Sequence, residues 1–257
     1  MAGFNTMRTA TGARQAQIDA GLRAHMNKVY GLMSAAMLIT GAVAWALAGL
    51  AMTNDPAAAV GTMRNGTMLT QFGALLYTSP LKWVVMLAPL AVVFLFSATI
   101  NRMSVGAAQL VFWVYAALVG ASISSIFLVF TGVSIAQTFL VTAIAFASLS
   151  LYGYTTKRDL SPMGSFLMMG LIGLIVASIV NIFIASSALA FAVSVLGVLI
   201  FAGLTAYDTQ KIKTTYLEMA HSGEDFLGKA AIMGALSLYL DFLNLFMLLL
   251  NFMGNRE

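Results

Sequence analysis

The last apolar stretch, Lys229 to Gly254, reads KAAIMGALSLYLDFLNLFMLLLNFMG. It is long enough to cross a bilayer, whose hydrocarbon core takes about 20 largely apolar helical residues. Asp241 stands in its middle, and no basic residue lies between Lys229 and Arg256. A carboxylate at the centre of a spanning helix costs roughly 2.5–3.5 kcal/mol on insertion. Such a group is protonated, paired or turned towards a watery interior. At helical spacing Gly234, Ser237, Asp241, Asn244 and Asn251 share one face. The opposite face is Leu, Phe and Met. A helix that carries a polar stripe into the membrane needs other helices to enclose it.

Six further apolar segments precede it, at about 29–52, 81–101, 106–130, 134–154, 162–185 and 187–209, with the last at about 229–253. The chain is 60% hydrophobic and 9% charged, where a soluble domain carries about 25% charged residues. The expected fold is therefore an all-α integral membrane protein with seven transmembrane helices. Runs of twenty apolar residues exclude a transmembrane barrel, which is built from short alternating strands. Residues 1–28 form a polar N-terminal tail, with Arg8, Arg14, Arg23 and Lys28 against Asp19. No apolar core precedes Val29, so a cleaved signal peptide is not expected. Arg14–Lys28 reads as a surface helix or as a disordered tail. Residues 29–254 form the membrane domain.

The joints between segments are short. Asn101 to Ser104 reads as a tight turn, Thr131 to Val133 and Thr155 to Ser161 as loops, and Ser186–Ser187 as a very short turn. The longest connection, after the first segment, holds Thr53, Asn54, Asp55, Pro56, Gly61, Asn65 and Gly66. Ten basic residues fall on one side: the four of the tail, Arg102, Lys157, Arg158, Lys211, Lys213 and Lys229. Arg64, Lys82 and Arg256 fall on the other. That asymmetry predicts a cytoplasmic N-terminus and a C-terminus outside. Six spans with a re-entrant last segment is the alternative, since a polar stripe also suits a re-entrant hairpin. The net charge of +4 sits at helix ends and is no nucleic-acid signal. Gly120–Ser124 and Gly170–Gly173 have the spacing of ordinary helix packing.

Seven of the nine acids, Asp19, Asp55, Asp159, Glu218, Glu224, Asp225 and Glu257, lie in loops or tails and read as solvated charge. Asp208 and Asp241 alone belong to apolar segments. Asp208 shares a helical face with Ser194, Gly197, Phe201 and Thr205. If the two faces meet, the carboxyls cannot both ionise cheaply, and they titrate as a unit. Such a pair is a proton sensor or, when ionised, a site for a hard cation such as calcium. The plainer reading makes Asp208 a membrane-edge residue and Asp241 a lone protonated packing group.

One geometric obstacle stands against the pair. Ser222, followed by Glu224 and Asp225, reads as an N-cap with a capping-box acid at Asp225. Counted from that turn, the two aspartates differ in level by roughly 7–9 Å. A break or tilt must close the gap, with Thr214 to His221 as the expected irregularity, or water must bridge it. Arg102 is the candidate ionic partner of Asp208, or else a snorkelling topology anchor. His25 and His221 have no metal-ligand company. The chain has no cysteine, P-loop, serine-nucleophile motif or HExxH, so no enzymatic activity and no cofactor are expected.

At these residues the chain resembles the Bax inhibitor-1 family, in particular its bacterial members. The resemblance is carried by Gly203-Leu-Thr-Ala-Tyr-Asp208-Thr-Gln-Lys-Ile212 and by Leu236-Ser-Leu-Tyr-Leu-Asp241-Phe-Leu-Asn-Leu-Phe246. It implies six helices surrounding a central seventh, Asp208 and Asp241 close together, and a pH-sensitive calcium leak gated by them. It also implies a latch arginine, whose counterpart is Arg102. Asn101 and Ile100 precede it, where some relatives are richly basic. Pro89 stands mid-way in the second segment, and no carboxylate lies there. Two other functions stay open. One is a protein that restrains a membrane-anchored ATP-dependent protease or modulates a stress response; the other is a proton/calcium exchanger. The partners implied are the lipid bilayer, calcium and protons, and the compartment a bacterial inner membrane.

Overall fold

A computed structural model describes residues 2–63 and 66–255, with side chains from residue 16 onward. Arg64, Asn65, Arg256 and Glu257, and the side chains of Arg8 and Arg14, lie outside the described residues. The elements are α1 (Ala2–Ala51), a small antiparallel hairpin of β1 (Gly61–Thr62) and β2 (Met68–Leu69), α2 (Gln71–Tyr77), α3 (Leu81–Thr99), α4 (Val105–Ile123), α5 (Gly132–Thr155), α6 (Ser161–Ile184), α7 (Ser187–Met219) and α8 (Glu224–Met253). Short 3-10 turns over Ile100–Arg102 and Ser124–Leu128 extend α3 and α4. Among the described residues, seven helices are long and apolar enough to span a membrane, all except α2.

Local chemistry sets the boundaries. Ser104, Thr131 and Ser186 cap α4, α5 and α7 by accepting the amides of Ala107, Ser134 and Leu189. Each satisfies a helix-end donor that lipid could not. Pro162 stands in the first turn of α6, where its missing N–H costs nothing. Ala185 adopts a left-handed φ of 52° at the α6 C-terminus, which lets Ser186 begin α7 at once.

α8 is the centre. Its apolar window is 61% buried, against 39% for α4 and 6% for α6. It packs against α1, α4, α5 and α7, while α3 leans on α4 and α6 on α7. Tyr239, Leu238, Leu245 and Ile232 are wholly buried on it. The unbroken thirty-residue helix is a span and not a re-entrant hairpin.

Four details differ from the sequence expectation. α1 runs through residue 28 without a break, and Leu22, His25 and Met26 pack inward, so the second half of the tail belongs to the bundle. α7 continues as helix to Met219, so Thr214 to Met219 hold no irregularity. Gly223, not Ser222, is the N-cap of α8; the Ser222 hydroxyl turns back to the sulfur of Met219. Glu224 and Asp225 still occupy the first turn, where the helix dipole favours acids. Asp225 pairs with Lys229 at 2.8 Å. The long first connection folds into the β1–β2 hairpin and α2.

At the far end from the α7–α8 turn, the C-terminal segment is tied to the start of α5. Thr131 N–H donates to the Asn255 carbonyl at 3.2 Å, and Asn255 N–H to Ser134 Oγ at 2.9 Å.

Candidate functional site

The structure brings the carboxyls of Asp208 and Asp241 together as direct electrostatic neighbours. Asp241 is buried at 4% exposure and Asp208 is half-buried. Asp241 Oδ2 meets no donor from elsewhere in the described protein. A bond between two carboxyls exists only when one of them carries the proton. The pair therefore can hold one shared proton or, ionised, present its oxygens to a cation.

No break in either helix is needed to close the level gap. Gly234 of α8 lies against Ile212 of α7, and Gly197 of α7 against Leu248 of α8. These contacts fix the antiparallel register and place Asp241 three to four residues, roughly 5–6 Å, beyond the level of Asp208. Side chains on a helix lean towards its N-terminus. In an antiparallel pair the two leanings are opposed, and here they converge: Asp208 leans away from the turn and Asp241 towards it.

The polar stripe expected on α8 divides. Gly234 and Asp241 are buried and Ser237 is half-buried, while Asn244 and Asn251 are exposed. Each asparagine amide donates to its own helix, to the Leu240 and Met247 carbonyls at 2.8 and 2.9 Å. They do not join the carboxyls. On α7 the expected inward face holds for Gly197, Phe201 and Thr205, which are buried, while Ser194 is only half-buried.

Arg102 is exposed in the 3-10 turn after α3 and makes no ion pair with Asp208 among the described residues. The cation whose charge reaches Asp208 is Lys211, one turn along α7. His25 is buried against the ring of Tyr216, with centroids 4.9 Å apart.

A second polar feature was not anticipated from the sequence. Thr209, next to Asp208, donates its hydroxyl proton to the Thr205 carbonyl at 2.8 Å. Its oxygen lies 2.9 Å from Ser150 Oγ, which lies 2.6 Å from the Tyr30 hydroxyl. Each hydroxyl has one proton, so Ser150 donates to Thr209 and Tyr30 to Ser150. The chain ties α1 and α5 to α7. Gly153 makes it possible, because its bare Cα lets α5 approach the Ala206 backbone. The signal was present as a hydroxyl stripe on α5: Ser134, Thr138, Thr142 and Ser150, all buried. Just below, Gln210 holds the α5–α6 loop, accepting from Leu160 N–H at 2.8 Å and donating to the Arg158 carbonyl at 2.7 Å. In that loop, outside the spans, amide and hydroxyl donation from Ser161 holds the Asp159 carboxyl below its ordinary value.

Fold and site together define a multi-pass helical membrane protein built round one enclosed helix that carries a carboxyl to meet a second. The family model described as "Inhibitor of apoptosis-promoting Bax1" matches residues 22–257. The chain belongs to this family, the Bax inhibitor-1 family. It is similar to the inner membrane protein YbhL of Escherichia coli K12, at 44% identity over 242 residues, covering 94% of this chain and 95% of that one. It is also 44% identical over 253 residues to the uncharacterized protein RP147 of Rickettsia prowazekii, covering 98% of each. An uncharacterized protein of Caulobacter vibrioides is 47% identical over 241 residues, covering 93% of this chain and 92% of its own.

Proposed function

We propose that this protein is a pH-sensitive leak for calcium across the membrane, gated by Asp208 and Asp241. The observation that carries the reading is the meeting of these two carboxyls inside the bundle, one of them on its central helix. A shared proton holds α7 and α8 together at this point. Its loss leaves two negative charges in contact, which repel one another and attract a divalent cation. Calcium takes six to eight oxygens, and two carboxylates supply at most four. No third acid, histidine or cysteine joins them among the described residues. The ion therefore keeps part of its hydration at the site, which suits passage better than retention. No chemical step is needed.

The same reading places the protein in a bacterial inner membrane, with the N-terminus in the cytoplasm and the C-terminus outside. The basic asymmetry between the two sides supports the orientation, and the likeness to an inner membrane protein supports the compartment. The test is calcium flux into proteoliposomes containing only the purified protein, scanned across pH. A flux that rises and falls with pH is expected. Silence at every pH would leave a protein that acts by binding, for example on a membrane-anchored protease.

A further inference from the structure

α1 and α5 do not close on one another along the membrane. Between them lies a groove of ≈ 1280 Å3, floored by Phe242 of α8 and open to the side. Its α1 wall runs from Arg23 to Ala42 and its α5 wall from Gly132 to Tyr154, about 28 and 33 Å of helix. It therefore follows the whole ~30 Å hydrocarbon thickness. The walls are almost wholly apolar. Tyr30 and Ser150, two of its few polar members, are bonded to each other near one end. Arg23 and Asn27 stand at the mouth on that same end.

We infer that the half of this groove nearest the N-terminus holds an anionic phospholipid, its phosphate on Arg23 and one acyl chain along the floor. Charge selects the occupant. Arg23 is exposed and has no carboxylate partner within ion-pair distance among the described residues. A guanidinium forks onto a phosphate better than onto water. From Arg23 to Ser34 the wall measures about 16 Å, the depth of one leaflet. The lining suits a flexible chain: Met26, Met33 and Met37 adapt to its shape. Exposed Ala147 leaves room beside them. Basic pockets between spanning helices bind anionic headgroups in this way. The inference does not depend on the proposed leak.

The experiment is thermal unfolding of the purified full-length protein in neutral detergent, with phosphatidylglycerol or phosphatidylcholine of the same acyl chains added. Phosphatidylglycerol is expected to raise the melting temperature by roughly 2–4 °C or more beyond phosphatidylcholine. Arg23→Gln should abolish the difference, and Lys82→Gln, an exposed basic residue of α3 that does not line the groove, should keep it. Ala147→Trp fills the groove from an exposed position and should also abolish it. Equal stabilisation by the two lipids in wild type would overturn the proposal and leave the groove to an uncharged occupant such as a partner helix. So would the same shift from inorganic phosphate alone, or a lipid preference that survives in both Arg23→Gln and Ala147→Trp. If Arg23→Gln does not fold, the wild-type comparison and Ala147→Trp decide the matter.

Discussion

The Tyr239 hydroxyl of the central helix lies 2.7 Å from Thr40 Oγ1 of α1. Thr40 lies 2.9 Å from both the Ala36 and Ala116 carbonyls, so its one proton goes to a carbonyl and Tyr239 donates to Thr40. Three helices meet at this hydroxyl. Thr40→Val should cost about 0.6–1.7 kcal/mol, the range for hydrogen bonds between spanning helices, while Thr40→Ser should cost less. Thermal unfolding in detergent reads both, and a Thr40→Val protein as stable as wild type would refute the junction.

Gly153 and Gly173 make a matched pair of substitutions. A side chain on Gly153 would meet the Ala206 backbone, and one on Gly173 would meet nothing within 4 Å. Gly153→Val should destabilise by about 1–3 kcal/mol through overpacking and should also reduce flux, since it forces α5 from α7 beside Asp208. Gly173→Ala should be neutral or slightly stabilising by the same melting assay.

The two aspartates should behave as one unit in flux. Asp208→Asn and Asp241→Asn each remove the charge repulsion and part of the cation site, so the double variant should lose little more than either single one. Calcium flux against pH for the four proteins measures this. Additive losses, or wild-type flux from Asp241→Asn at every pH, would mean that the carboxyls serve only the fold.

Lys211 and Arg102 should separate in the same assay. Lys211 is the cation whose charge reaches Asp208, and Arg102 makes no ion pair among the described residues. Lys211→Gln should move the pH midpoint of flux, and Arg102→Ala should move it less. The reverse order would restore Arg102 as the latch.

Asp159 gives a pH effect outside the membrane. Its folded-state pKa is depressed by donation from Ser161. Its stabilisation of the loop is therefore fully present above the unfolded value of about 3.9 and is lost as pH falls through the folded value. Protection of the Ser161 amide against exchange, taken relative to its intrinsic rate at each pH, should fall over that acid range in wild type, since that amide donates to Asp159 Oδ1 at 2.9 Å. In Asp159→Ala that protection should be low throughout.

The seven spans were legible because hydrophobic length alone defines them, and the two membrane carboxyls because no other acid lies in the apolar segments. The sequence also pointed to α8 as the enclosed helix. It misled where position depends on a neighbour. Asn244 and Asn251 share a nominal stripe with Asp241, but the stripe is broad and its edge turns outward. α2 is too short to register beside true spans. The level gap between the aspartates looked like a need for a kink, because counting residues along a helix ignores the lean of side chains. The Tyr30–Ser150–Thr209 chain joins residues far apart in sequence, and its spacing on α5 differs little from ordinary packing.

α6 shows most of its surface to lipid and touches the bundle chiefly through α7. Its Gly164 lies directly against the ring of Tyr207, the residue before Asp208. A spanning helix answers a thicker or thinner bilayer by changing its tilt. Re-tilting α6 would press on or release Tyr207, and the thickness of the surrounding membrane would then be felt at the residue beside the carboxyl pair.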